Sequence, residues 1–427
     1  MTLYRTLKLT FMKKLKLIFY YISSFAIMLI PSLIILILIK IFSRILLIRF
    51  GRLPSDRIGH LSIDVELYLC QLHKTQLKKK IKDFFFIANK NQICNPFLLN
   101  IWSKKIIIIE RFLITPLWLL INFKIFKFFF KDHILDHRQN KHYPHFDTEY
   151  LIPNSKQNII LEKSDEEKCL ALLKKNKIDV NKKFVCLHVR DNLYLKKKYP
   201  LKDYSYHDYR DFKIENFEKL CHFFETHGFL IFRMGNATKE KIRFANKNII
   251  DYSNSFFLSD MMDIYLISKC AIFFGADSGL VSVAQCFRKP ILNMMGKPLV
   301  NSTHFNTLTS FKNLHRLSDN KPLSFSEIIS QNLYNVHDKE ILKSKGVYFK
   351  DLTEDEIFEC GVDILNYYNN KCDLNEIDKE KQKTFYNNFL NNIKSRRLDP
   401  SKSAQPTEKN LSYISPSFLK NYPTLNN

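Results

Sequence analysis

Residues His188, Val189, Arg190 and Asp191 put an imidazole, a guanidinium and a carboxylate side by side, directly after the apolar run Phe184–Leu187. Such a run predicts a buried parallel strand, and residues that follow one emerge at the carboxyl edge of the sheet, where open α/β folds bind ligands. A guanidinium there can fork onto phosphate oxygens through two parallel hydrogen bonds. An arginine ending a strand also makes structural ion pairs, so this segment alone decides nothing. A second segment, Gly275, Ala276, Asp277, Ser278, Gly279 and Leu280, again follows an apolar run and opens a helix. Small residues there let backbone N–H groups and the serine hydroxyl approach an anion at the positive helix end. The segment is neither a GxGxxG fingerprint nor a P-loop, which argues against dinucleotide and ATP sites. A third segment, Arg233–Met234–Gly235, follows the run that starts at Phe229. These three tips, at 188–191, 233–235 and 275–279, are expected to meet in one crevice and grip a pyrophosphate. On this reading, an Arg190 locked in a dry ion pair with a protein carboxylate counts against an enzyme.

The elements that must position these tips follow from alternation. Strands are expected at Phe184–His188, Phe229–Arg233, Ile249–Asp251, Ala271–Phe274 and Pro290–Asn293, separated by helices over Ile214–Thr226, Ser259–Lys269 and Leu280–Phe287. Short links between such elements predict an α/β fold with parallel sheets and helices on both faces. Upstream, Ile45–Phe50 reads as a strand, Gly51–Asp56 as a turn, and Ile58, Leu61, Val65, Leu69 and Leu72 as one face of a helix. That strand, loop and helix would open an earlier nucleotide-fold lobe, with Arg57, Gly59 and His60 at its carboxyl edge. Ser324 with Glu327, and Thr353 with Glu356, each have capping-box spacing.

Taken in order, HVRD at 188–191, SYHDYRD at 205–211, FLIFRMG at 229–235, IIDYSNS at 249–255, SDMMDIYLISKC at 259–270 and FFGADSGL at 273–280, with RFGRLPSDRIGHLSIDVELYLC at 49–70, resemble a bacterial family of surface-carbohydrate glycosyltransferases. The resemblance covers about residues 45 to 300. More distantly, the His-x-Arg segment and the serine-bearing loop are similar to the donor lobe of GDP-fucose-dependent fucosyltransferases. It implies a GT-B-like arrangement of two Rossmann-like lobes and a nucleotide-sugar donor, GDP-linked in the more distant likeness. His188, Arg190, Arg233, Gly235, Gly275, Asp277, Ser278 and Gly279 would hold the donor diphosphate, and Asp260 and Asp263 the base or ribose. The last two also read as an N-cap and a helix carboxylate. No Asp-x-Asp bracketed by apolar residues occurs, so no metal and no other cofactor is expected. Transfer to a hydroxyl needs its proton removed. Candidate bases are Asp191, His207, Asp208 and His60, and the sequence does not choose among them.

Composition bounds the remaining readings. Of 427 residues, 46% are apolar and 14% aromatic, too much sticky surface for a disordered chain. The net charge of +24 comes from basic residues spread along the chain without a nucleic-acid motif, so a nucleic-acid partner is not expected. Nine cysteines without a CxxC pair argue against both a disulfide framework and a zinc ribbon. Leu17–Ile39 is uncharged and long enough to cross a bilayer core of roughly 30 Å, and basic residues flank it on both sides. Pro31 could kink it so that it dips into one leaflet and returns. Ile106–Phe130 is apolar but interrupted by charge, and reads either as an interfacial segment or as a buried strand and helix. His133, His137, His142 and His145 fall in a connection and read as a solvated linker, not a metal site. The expected organisation is an anchor and basic N-terminus over 1–44, lobes over 45–157 and 158–372, and a helical then floppy tail over 373–427. The expected activity is sugar transfer to a lipid-linked or surface glycan at the cytoplasmic face of the inner membrane. The alternative is a non-catalytic membrane scaffold or regulator that binds a nucleotide sugar.

Overall fold

A computed structural model of the chain describes residues 2–74, 80–135, 147, 149–276, 278–296, 305–333, 336, 338–395 and 412–426. Two compact units result, one from Met1–Arg57 with Gln71–His145, the other from Ile58–Cys70 with Phe146–Asn427. Both contain a parallel sheet, so the expected α/β class is what the chain adopts.

In the first unit, helix α1 (Thr2–Phe42) leads into β1 (Leu46–Leu53), followed by α2 (Ile58–Lys74), β2 (Lys80–Ile87), α3 (Pro96–Ser103), β3 (Ile107–Ile109), α4 (Arg111–Asn122), α5 (Lys124–Phe130) and β4 (Ile134–Leu135). The sheet order is β3-β2-β1-β4, all parallel. Arg49 on β1 and its register partner Asp83 on β2 form a buried fork at 2.6 and 2.7 Å, which pins that register. Helix α1 runs through Pro31 as one element. Its most apolar stretch is Phe25–Phe42, 18 residues. Ile106–Phe130 forms a short strand and two helices with one side buried and large apolar groups exposed on the other. His133 is buried, its Nδ1 within 2.5 Å of the Ile48 carbonyl, while His137, His142 and His145 lie outside the described residues.

The first thirteen residues of α2 count with the second unit, where the sequence reading had assigned them to the first lobe. The cause is a buried polar face. Asp64 and Glu66 are fully buried, and Glu66 accepts Arg288 Nη1 at 2.6 Å and the Asn158 amide at 3.1 Å. The second unit continues with α6 (Leu151–Asn154), α7 (Lys163–Lys175), β5 (Phe184–His188), α8 (Leu193–Lys198), α9 (Glu218–Thr226), β6 (Leu230–Arg233), β7 (Ile249–Ile250), α10 (Asp260–Lys269), β8 (Ile272–Ala276), α11 (Gly279–Cys286), β9 (Ile291–Met295) and β10 (Thr307–Phe311). It ends with β11 (Leu314–Arg316), α12 (Phe325–Ser330), α13 (Lys339–Ser344), β12 (Val347–Phe349), α14 (Glu354–Asn369), α15 (Glu376–Ser395), β13 (Tyr413–Ile414) and α16 (Pro416–Asn421). Among the described residues, seven parallel strands stand in the order β13-β10-β9-β8-β5-β6-β7, and β11 and β12 form a separate antiparallel pair. Both capping boxes are made, at the starts of α12 and α14.

The tail expected to be floppy ends inside the core. Tyr413–Ile414 extend the sheet beside β10, and Ile414, Phe418, Leu419 and Leu425 are almost completely buried. Their apolar spacing, with Pro416 opening α16, outweighs the Ser, Asn and Pro content that suggested disorder.

Candidate functional site

Strand order determines where a ligand fits. From β5 the chain proceeds through β6 and β7 to one side, whereas β8, β9 and β10 build out on the other. The gap between the carboxyl ends of β5 and β8 is therefore the topological switch point, the place where open α/β sheets bind ligands. Its last register pair is His188 opposite Gly275. Across it, Ser278 Oγ and His188 Nδ1 lie 3.0 Å apart. The Met234 amide donates to the Leu187 carbonyl at 2.7 Å, and a Cβ on Gly235 would stand 4.0 Å from the His188 ring. The tips bearing His188, Gly235 and Ser278 thus converge on one edge.

Burial, aided by the charges of Arg190 and Arg233, pushes the His188 imidazole down to about 3. The ring is neutral at physiological pH, and its Nδ1 either donates to the Ser278 hydroxyl or accepts from it, according to the tautomer. Ser278 sits at the N-cap of α11, yet its side chain does not cap the helix. The start of α11 therefore has no side-chain cap from Ser278. Glycine is demanded here for space: a Cβ on Gly275 would come within 2.6 Å of Val281 Cγ2, and one on Gly279 within 2.8 Å of the Gly59 amide. The starts of α2 and α11 consequently meet backbone to backbone. His60 stands beside that contact, its Nδ1 3.3 Å from Asp64 Oδ2.

Arg190 corrects the sequence reading. Its guanidinium is buried, donates to the His207 carbonyl at 3.0 Å, and is ion-paired with Asp211. The side chain is thus turned to a protein carboxylate and not to the crevice. Arg233 is committed in the same way, to the Glu240 carbonyl at 2.7 Å and to Asp251 at 3.2 Å. Neither arginine is placed as a phosphate fork.

Asp211, which sequence reasoning missed, is the consequence. Desolvation raises its carboxyl to about 6 even though Arg190 opposes the shift. The carboxyl remains 20% exposed and opens on a cavity of 1140 Å³, also lined by Asp191, Asp208, Arg233, Lys239 and Lys312. The only hint in the sequence was the last letter of SYHDYRD. Lys312 was likewise missed; its Nζ donates to the Asp211 carbonyl at 2.6 Å and pairs with Asp351. The bases named from sequence are otherwise engaged. Asp191 accepts the Leu193 and Lys239 amides at 2.8 and 2.9 Å, clamping two tips together. Asp208 accepts the Asn192 amide group at 3.1 Å, and the His207 ring packs on Tyr206 with centroids 4.0 Å apart.

Asp260 opens α10 behind its Ser259 cap, and burial raises its carboxyl above the usual range. Asp263 is 7% exposed and accepts the Tyr252 hydroxyl at 2.9 Å, so it is a core group and not a ribose contact. Burial holds its carboxyl at about 7. Because the folded value lies above the unfolded one, this carboxyl's contribution to stability is full below about pH 4 and is lost as pH rises through 7. Asp263→Asn, which still accepts the hydroxyl, is expected to be more stable than the parent at pH 8 and not at pH 4. Urea unfolding at both values measures this. Asp277 lies outside the described residues. Among the described residues, no group of three or more His, Cys, Asp or Glu is placed to hold a metal ion.

No family model matches the chain, and no curated protein does. Among solved structures, it is similar to ADP-heptose LPS heptosyltransferase II from E. coli, with 11% identity over 62% of this chain and 90% of that one, at a TM-score of 0.38. It is also similar to a family 9 glycosyl transferase from Veillonella parvula, with 11% identity over 75% of this chain and 98% of that one, at a TM-score of 0.41.

Proposed function

We propose that the protein is a glycosyltransferase that moves a sugar from a nucleotide-sugar donor to a hydroxyl of a lipid-linked or surface glycan, at the cytoplasmic face of the membrane. The observation that carries this reading is the switch-point edge where His188, Gly235 and Ser278 meet at the uncapped start of α11. Diphosphate oxygens would accept the first N–H groups of α11 and the Ser278 hydroxyl, and the helix end would stabilise charge on the leaving diphosphate. Neutral His188 orients that hydroxyl without adding charge. Asp211, opening on the adjacent cavity, is the base best placed for the acceptor proton, and Arg190 orients it. Tyr204, Tyr206 and Tyr209 offer flat faces for sugar rings near the same loop. The apolar α1 supports the membrane location.

One observation favours the non-catalytic scaffold: Arg190 is spent on Asp211. A transfer assay separates the two readings after a thermal-shift screen against ADP-, GDP-, UDP-, CMP- and dTDP-sugars has found the donor. If Asp211 is the base, kcat falls on the acid side with an apparent value near 6. Asp211→Asn then lowers kcat by about 10²–10⁴ and removes that limb, with donor affinity unchanged. Binding without turnover in the parent chain would leave the scaffold standing.

A further inference from the structure

The first unit carries an apolar surface that sugar transfer does not explain. Helix α1 buries one narrow edge, Ser32, Leu36 and Ile39, of which Leu36 and Ile39 pack with Ile114, Leu117, Ile121 and Phe130 of α4 and α5. The pairing extends along the helix. Near one end the rings of Tyr20 and Phe112 stand 6.0 Å apart, and the Arg111 guanidinium lies 5.5 Å over Tyr20. At the other end Lys40 Nζ donates to the Phe129 carbonyl at 3.2 Å and lies 5.7 Å from the Phe130 ring. The stretch of α1 from Tyr20 to Lys40, roughly 30 Å at about 1.5 Å per residue, is therefore held against α4 and α5.

On their outer side α4 and α5 expose large apolar groups. Phe123 is 59% exposed, Ile125 66%, Phe128 77% and Phe129 55%. The two helices meet at a 93° bend, and exposed Lys124, Lys127 and Lys131 are interleaved with the aromatic groups. The uncharged part of α4, Phe112–Asn122, reaches only about 16 Å, enough for one leaflet and too short for a bilayer core of roughly 30 Å. Phenylalanine alternating with lysine suits the boundary where acyl chains meet anionic headgroups. A second copy of the chain would oppose lysine to lysine across the same face.

We propose that the bent α4–α5 pair is a second membrane element, a wedge that enters one leaflet beside α1 and seats the first unit on anionic lipid. Phe123, Ile125, Phe128 and Phe129 enter the acyl boundary, while the three lysines rest on phosphates. This rests on membrane attachment through α1, not on sugar transfer.

The test uses the full chain reconstituted into phosphatidylglycerol vesicles, with a tryptophan reporter replacing Phe128 (Phe128→Trp) and, as control, exposed Leu201 of the second unit (Leu201→Trp). Lipid brominated at shallow acyl positions should remove most of the added emission from Phe128→Trp and little from Leu201→Trp, with acrylamide showing the reverse order. The triple variant Lys124→Gln, Lys127→Gln, Lys131→Gln should lose the difference in quenching between phosphatidylglycerol and phosphatidylcholine vesicles. Acrylamide quenching of Phe128→Trp without bromolipid quenching, while α1 keeps the chain on the vesicles, overturns the proposal. Protection from both quenchers with concentration-dependent dimers overturns it in favour of a self-interface.

Discussion

Ser278→Asp is expected to abolish nucleotide-sugar binding and leave the fold intact. Aspartate is among the best N-cap residues, so the start of α11 loses nothing by the exchange and gains favourable charge at its positive end. The same carboxylate stands where the diphosphate would be held. Two like charges about 5 Å apart at an effective dielectric near 20 repel by about 3 kcal/mol, more than a hundredfold in affinity. Ser278→Ala should cost far less, about 1 kcal/mol for one hydrogen bond. Titration calorimetry on both variants, with melting curves as the folding control, reads the outcome. Equal donor affinity in Ser278→Asp and parent would remove the diphosphate from this position.

Arg288→Met is expected to be the most destabilising single change in the second unit, by about 3–5 kcal/mol. Glu66 is fully buried, and Arg288 supplies its charge partner at 2.6 Å, so removing the arginine leaves an uncompensated carboxylate inside the unit. The pair also ties α2 to the segment following α11, while Gly59 and Gly279 join the other ends of the same two helices. Loosening it should weaken ligand binding as well. Urea unfolding measures the loss, and the double change Glu66→Leu with Arg288→Met should recover much of it. A single variant as stable as the parent would show that Glu66 is satisfied without arginine.

Much of the second unit was legible in the sequence because its strands are buried on both faces. Phe184–His188 emerged with its exact bounds, and the glycine and serine tips followed from it. Sheet order was not legible, since neighbours in a parallel sheet lie far apart in sequence, and so the switch point became visible only in the fold. Arg190 shows a different limit. Its residue type and position suit a phosphate, but the choice between phosphate and Asp211 depends on a loop 21 residues away. The same loop hid Asp211, whose raised carboxyl results from tertiary burial and not from any local motif. The membership of α2 was obscured for a related reason: buried Asp64 and Glu66 look like surface residues until their partners are known. At the C-terminus, prolines and asparagines masked an apolar pattern short enough to pass for a tail.

Hydrogen exchange on the parent chain, with and without the sugar nucleotide that shifts its melting temperature most, addresses the switch-point site most directly. Added protection should appear together in segments 188–193, 234–239 and 278–283, and not in the β11–β12 pair. Protection confined to other segments, or no protection with any of the five donor classes, would contradict a diphosphate grip at the junction of β5 and β8.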